Sequence, residues 1–314
     1  FSITPRVIYQ KVETDGWNRQ DVFNILGNPY TTTRPAVTLG EHEQYTQFEE
    51  PFSDEFMLVD LNLEYEFANY MLLNYNTSYT NSDILDVRDA TALTASITGG
   101  TNGLSEDVYT QDAPLDDGTK ASGFTQELRL SGETGNFTWV GGMFYSDFER
   151  DYGQGLLVAG FEDLTGIPTA GFIAPRDGLY WSQLEYDFKQ LAVFGEATWA
   201  VTESFDLTAG LRYYDFDESR VQSFDGIFAD PGTTTGDTTA DGFAPRLMAD
   251  WALTDDFSIN GQVSKGFRLG GINDPLNVPL CTPQDLETFG GRENWEDEEL
   301  WNYEVGMKSL FMNG

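Results

Sequence analysis

A chain of 314 residues with 17 Lys+Arg against 52 Asp+Glu carries a formal charge of −35. It cannot neutralise a run of phosphates, which excludes a nucleic-acid partner. One cysteine, Cys281, and one histidine, His42, exclude an internal disulfide and any Cys/His metal site, and no run of about 18 apolar residues offers a transmembrane helix.

The remaining signal is alternation. The first candidate strand is "ITPRVIYQKV". In "FMLVDLNLEYEF" Met57, Val59, Leu61, Leu63, Tyr65 and Phe67 lie on one face, with Leu58, Asp60, Asn62, Glu64 and Glu66 on the other. The pattern resumes after Ala68-Asn69 with Met71, Leu73, Tyr75 and Tyr79. "FTQELRL" sets Phe124, Gln126, Leu128 and Leu130 against Thr125, Glu127 and Arg129. "FTWVGGMFYSDF" from Phe137, "LAVFGEATWAV" from Leu191, "FDLTAGLRYY" from Phe205, "FAPRLMADWAL" from Phe243, "FSINGQVSKGF" from Phe257 and "WNYEVGMKSLF" from Trp301 bring the total to ten.

The connections alternate as well. Tight turns are predicted at Ala68-Asn69, Ser131 to Gly135, Thr202 to Ser204 and Thr254 to Asp256, with a fifth opening at Asn313-Gly314. Between them lie long polar segments, roughly 15–53, 83–121, 151–185, 223–241 and 270–298. Such an up-and-down meander, with every tight turn on one side, differs from the Greek-key connections of a soluble sandwich. Aromatic residues mark the turn side of the apolar face: Phe67, Phe137, Trp139, Trp199, Phe205, Trp251, Phe257 and Phe311. Tyr145, Tyr213, Phe267 and Tyr303 offer a second girdle further along. Two girdles and an apolar face predict a membrane-spanning antiparallel barrel, whose polar inner face reconciles it with a mean hydropathy of −0.38. By parity Lys265 falls on the lipid face near the outer interface, where its stem would snorkel.

"VSKGFRLGGIN", residues 263–273, has the glycines and cations of a phosphate loop. It matches neither phosphate-binding spacing, and "INDPLNVPLCTPQDL" follows without an immediate helical period. It reads instead as a barrel strand with Val263, Lys265 and Phe267 facing out, Ser264, Gly266 and Arg268 facing in, and Gly270-Gly271 ending it.

"QVSKGFRLGGIN" also resembles a hallmark segment of TonB-dependent outer-membrane receptors. So do "FTQELRLSG" with "FTWVGGMFYSD", "AVFGEATWAVTESFDLTAGLRYYDFD", "FAPRLMADWALTDDFSI" and "LWNYEVGMKS", in order from about residue 54 to 314. The resemblance implies a bacterial outer-membrane location and contact with lipid and lipopolysaccharide. It also implies an energy-coupling TonB complex acting through a plug domain, and a barrel of about 22 strands. Neither plug nor coupling box is visible, so residues 1–314 read as a partial barrel domain without plug or C-terminal strands. The start at "FSITPRVIYQ" and the stop at "SLFMNG" read the same way.

The resemblance implies active uptake of a bulky, scarce nutrient. Ferric siderophores are the family's commonest cargo, with cobalamin and oligosaccharides as others. Trp17, Tyr30, Tyr45, Tyr180, Trp181 and Trp295 in the long segments are candidate ligand-stacking residues. Glu64, Glu127, Arg129, Glu196, Arg212, Arg246, Asp250, Arg268, Glu304 and Lys308 are expected to line the lumen, pairing with one another or with the plug. The acidic excess should repel a highly anionic ligand. Clusters such as Asp116-Asp117 and Glu162-Asp163 suggest calcium in the acidic loops, without an EF-hand pattern. A passive porin, or a secreted carbohydrate-active enzyme using carboxylates such as Asp215 and Asp217, are the rival readings.

Overall fold

The computed structural model describes residues 1–16, 40, 46–91, 94, 108, 111–273, 276, 281–292 and 294–310. Among these, ten strands form one antiparallel sheet in chain order: β1 (Ser2–Thr14), β2 (Phe52–Glu66), β3 (Leu72–Asp89), β4 (Pro114–Thr134), β5 (Phe137–Leu157), β6 (Gly178–Thr202), β7 (Phe205–Asp225), β8 (Gly232–Thr254), β9 (Phe257–Arg268) and β12 (Glu298–Ser309). The intervening β10 (Gly271–Ile272) and β11 (Asn294–Trp295) pair only with each other. Two short helices, α1 (Phe161–Thr165) and α2 (Pro283–Phe289), sit in connections. The ten predicted strands are the ten of the sheet, and β1 and β12 each pair on one side only.

The four tight turns within the described residues lie where alternation breaks. The β4–β5 turn is tighter than expected: Ser131 to Thr134 are strand, opposite Val140 to Phe137, leaving Gly135-Asn136 as the turn. Gly135 has φ 62°, which glycine adopts without the steric cost of a side chain. Phe311 and the turn expected at Asn313-Gly314 lie outside the described residues.

Opposed residues in an antiparallel ladder share a face, so the register fixes two continuous surfaces. One carries Val7, Val59 and Tyr79 in a row, and Met143, Val193 and Tyr213 in another. At its turn end Phe137 stacks on Trp199 at 5.9 Å between ring centroids, and Phe205 meets Trp251 edge-on at 6.4 Å. Higher on the same face Tyr213 packs against Phe243 at 5.1 Å. Phe205 to Tyr213 spans about 27 Å along the strand, or about 20 Å of depth at a tilt of roughly 40°, close to the apolar band of a membrane barrel. Leu211 and Leu247, between the girdles, are half exposed, as side chains awaiting lipid must be.

Above the upper girdle the strands continue and the faces exchange character. On β7 the apolar residues are Leu207, Leu211 and Tyr213 below, but Tyr214 and Phe216 above, which are 2% and 1% exposed. The outward face there carries Asp215 and Asp217. The phase of the pattern slips at Tyr213-Tyr214 while the ladder runs on in register. The strands therefore run into segments read as long loops: β7 and β8 are linked only by residues 226–231, and β5 and β6 only by 158–177. Polarity suggested loops because the lipid-facing side of these extensions no longer meets lipid.

The 158–177 connection is held by carboxylates. Asp177 accepts from the backbone N–H groups of Gly160 (3.1 Å) and Glu162 (2.8 Å), and Glu162 accepts from Thr169 N–H and hydroxyl, both 2.9 Å. Asp225, at the end of β7, accepts from Ile173 (2.7 Å), Ala174 (2.8 Å) and Gly226 (2.8 Å). Burial opposes its ionisation, but the N–H donors of Ala174, Ile173, Gly226 and Phe172 prevail and hold its pKa below the usual carboxylate value. A Cβ on Gly171 would lie 2.1 Å from its Oδ1, so the chain passes there only as glycine. Beneath, Leu156, Val158, Phe161 and Leu179 make a small apolar core.

Candidate functional site: the polar wall

From β1 to β8 every arginine of the sheet, from Arg6 to Arg246, projects from the face opposite Leu211, while Lys11, Lys120 and Lys189 share the face of the leucines above the upper girdle. The polar wall is a lattice of defined contacts. Arg129 pairs with Glu127 at 2.6 Å, Arg246 with Glu196 at 2.9 Å, and Gln262 bridges Arg246 (3.1 Å) to Glu304 (2.6 Å), which also accepts from Asn302 (2.8 Å). Asn74 donates to Glu64 at 3.1 Å. Asp250 lies opposite Asp206 and Asn260, and Lys308 opposite Ser258. Arg268 pairs with Glu298 at 3.0 Å on an exposed edge.

Arg212 is different. Its guanidinium lies 5.6 Å from the ring centroid of Phe144 and 5.8 Å from that of Phe194, with Phe194 and Ala244 as ladder neighbours. Phe194 also carries Arg129 at 5.9 Å. A second tier stands eight residues higher on β6, about 27 Å along the strand. There Arg150 lies 5.3 Å from Tyr152 and 5.7 Å from Tyr186, which also carries Arg220 at 5.7 Å. Between the tiers Phe188 stacks on Phe216 at 5.8 Å. Arg150 and its aromatic neighbours were missed because alternation was followed only to the end of the apolar belt. Carrying β5 and β6 parity onward would have put Arg150 and Tyr186 on this wall.

The segment between β9 and β12 folds over the same wall. Pairing of β9 with β8 ends at Ser264 opposite Arg246, and β9 then leaves the ladder. Phe267 consequently stacks on Tyr214 at 3.6 Å, correcting its assignment to an outer girdle. Lys265 pairs with Glu299 at 2.5 Å. Asp297 accepts from the Tyr214 hydroxyl (3.1 Å) and from Gly270 N–H (2.7 Å), and Arg220 donates to the carbonyls of Ile272 (2.9 Å) and Asn273. Gly270 and Gly271 serve packing: a Cβ on Gly271 would sit 2.6 Å from the Trp295 ring. Between this segment and β7–β8 lies a cleft of about 1050 Å³, lined by Gln222, Thr235, Asn273, Phe289 and Arg292 among others.

The candidate stacking aromatics separate. Trp17, Tyr30 and Tyr45 lie outside the described residues, as does His42. Tyr180 and Trp181 stand in β6, and Trp295 in the short β11 within the connection between β9 and β12. Tyr180 packs on the core beside Phe161, the Trp181 ring covers Gly155, and Trp295 covers Gly271. Asp117, one of the suggested calcium carboxylates, is in β4 and accepts from Arg88, Tyr152 (3.1 Å) and Gln154 (2.5 Å). Glu162 is equally engaged, and among the described residues no group of three or more His, Cys, Asp or Glu could hold a metal ion. Asp215 and Asp217 stand on the outward face opposite Leu191 and Lys189.

The comparisons agree with this architecture. The family model for the TonB dependent receptor-like β-barrel matches residues 5–314. The pesticin receptor of Yersinia pestis is 30% identical over 118 residues, 38% of this chain and 16% of the receptor. Among solved structures, the ferric yersiniabactin uptake receptor FyuA from Yersinia pestis aligns with a TM-score of 0.62 at 15% identity, over 84% of this chain and 34% of that one. The siderophore receptor PiuA from Acinetobacter baumannii aligns at 0.60 and 14%, over 99% and 45%, and the ferric-catecholate import receptor Fiu from E. coli K12 in its closed form at 0.60 and 11%, over 98% and 46%. The chain thus spans less than half the length of these relatives, and its ten-stranded sheet aligns with part of their barrels. Family membership sets aside the secreted enzyme. The chain belongs to the TonB-dependent receptor family of outer-membrane β-barrel transporters, as part of the barrel domain.

Proposed function

We infer that this chain forms ten strands of the wall of an outer-membrane receptor that imports a ferric siderophore, with energy relayed by a TonB complex through a plug domain. The carrying observation is the two-faced sheet itself: an apolar belt between aromatic girdles, backed by a wall of arginine, carboxylate and aromatic side chains suited to a wet lumen. The cargo is supported by the relatives, whose names specify ferric yersiniabactin, siderophore and ferric-catecholate import. Cobalamin or an oligosaccharide would need the same path, but no relative mentioned above is named for either. A passive porin would need no plug and is the weaker reading for a chain matched by this family model along nearly its whole length.

The test uses the full-length receptor in cells lacking their own siderophore receptors. TonB-dependent accumulation of radiolabelled iron with at least one of a panel of catecholate, hydroxamate and phenolate siderophores is expected. Accumulation of labelled cobalamin or maltooligosaccharide, with no iron uptake, would overturn the assignment of cargo.

A further inference from the structure

We propose that Arg150 and Arg212 are two stations for carboxylate groups of a solute moving along the polar wall. This rests on reading the wall as a transport lumen. The chain as a whole is strongly acidic, yet these two guanidiniums make no hydrogen bond or ion pair among the described residues; their contacts are to rings. Glu127, whose charge acts on Arg212, is committed to Arg129 at 2.6 Å, and Glu196, on the adjacent strand, to Arg246 at 2.9 Å.

The two sites are built alike. Each arginine stands beside β6, opposite an aromatic on that strand (Tyr186 or Phe194) and an alanine on its other neighbour (Ala121 or Ala244). A ring on a second side, Tyr152 or Phe144, completes each cradle. Rings attract the cation while accepting none of its strong hydrogen bonds, so they fix the plane and leave the N–H edges unspent. A carboxylate matches that fork with two parallel bonds. The small alanine leaves the approach open. Arg220 and Arg246 show the contrast, since their N–H groups are used on backbone carbonyls and on Glu196. Above the apolar belt the outward face holds Asp147, Asp187, Asp215 and Asp217; on the inward face Asp117 already accepts from Arg88, Tyr152 and Gln154, and Glu218 stands opposite Phe188.

The experiment uses full-length receptor in detergent, with citrate as the carboxylate probe and no iron, so that it is independent of siderophore uptake. Phenylglyoxal modification of each arginine is followed by mass spectrometry with citrate or with chloride at equal ionic strength. Citrate is expected to slow modification of Arg150 and Arg212 selectively. Arg150→Gln and Arg212→Gln should each weaken citrate binding roughly tenfold or more, as loss of a charge-assisted bond predicts. Lys189→Gln, which removes the same charge from the outward face, should leave it unchanged. Equal modification with and without citrate overturns the proposal. So does an Arg212 unreactive in both conditions, since a protein group then already covers it. Where a glutamine variant fails to show heat-modifiable migration, the modification pattern of the unsubstituted receptor decides.

Discussion

Between Phe205 and Tyr213, β7 presents Leu207 and Leu211 on one face and Thr208 and Arg212 on the other. Between Tyr214 and Asp225 the same strand presents Asp215 and Asp217 where the leucines would continue, and buries Tyr214, Phe216 and Gln222 behind them. One uninterrupted ladder therefore serves two environments. Below, the outside is hydrocarbon and the inside is wet. Above, the outside is water, and on the inside Phe267, Ile272 and Asp297 lie against β7. Hydrogen bonding is indifferent to the change, because every backbone group stays paired along the ladder. The side chains alone record where the bilayer ends.

The sharpest way to break this comparison is to treat the upper region as if it were the lower. Phe216 is 1% exposed and stacked on Phe188. Phe216→Ala should cost about 3–5 kcal/mol by emptying a packed site, measured by denaturant unfolding of the full-length receptor in lipid vesicles. The corresponding insult to the belt is a charge. Leu211→Arg, on the apolar belt between its middle and the Tyr213 girdle, should cost about 1–3 kcal/mol, whereas Asp217→Arg, on the same face but above the girdle, should stay within about 0.5 kcal/mol. Equal costs at 211 and 217 would remove the boundary at Tyr213.

A smaller effect probes the carboxylate clasp. Asp225→Ala leaves the N–H groups of Ile173 and Ala174 without their acceptor and should loosen the 158–177 connection by about 2 kcal/mol. Amide hydrogen exchange at those two residues reads this directly. The sign with pH follows from the depressed pKa: the stabilisation is complete above the ordinary aspartate value of about 4 and is lost as pH falls through the lower, native value. The clasp should therefore hold at pH 5 and open only in stronger acid. Loosening between pH 7 and 5 would assign the control to another group. The smallest effect belongs to the polar wall below. Arg246 and Glu196 are both substantially exposed, so Arg246→Met should change stability by no more than about 1 kcal/mol.

These contrasts explain what alternation could disclose. It located all ten strands and the four tight turns within the described residues because lipid on one side and water on the other leave a two-residue period from Met57 to Phe67 and from Phe205 to Tyr213. It placed Glu127, Glu196, Arg212, Arg246 and Glu304 on the polar wall for the same reason. It stopped short above the girdle, where Asp215, Phe216 and Asp217 still alternate but in the opposite phase, and polarity was taken for loop. The inward turn of Phe267 was beyond it, since that depends on β9 leaving β8 after Ser264, a tertiary event with no local signature. The clasp at Asp225 was equally hidden, because an aspartate that accepts from Ile173 and Ala174 reads like any other acid in a chain with so many.

The most direct test of the boundary is a spin-label scan of β7 in the full-length receptor, reconstituted in lipid, with cysteines introduced singly at Leu207, Thr208, Leu211, Asp215 and Asp217 in a background carrying Cys281→Ser. The account predicts high oxygen and low nickel-complex accessibility at 207 and 211, the reverse at 208, and the reverse again at 215 and 217 although they share the face of the leucines. If 211 and 217 respond alike, there is no bilayer edge at Tyr213, and the division of the sheet into a lipid-facing and a water-facing half is wrong.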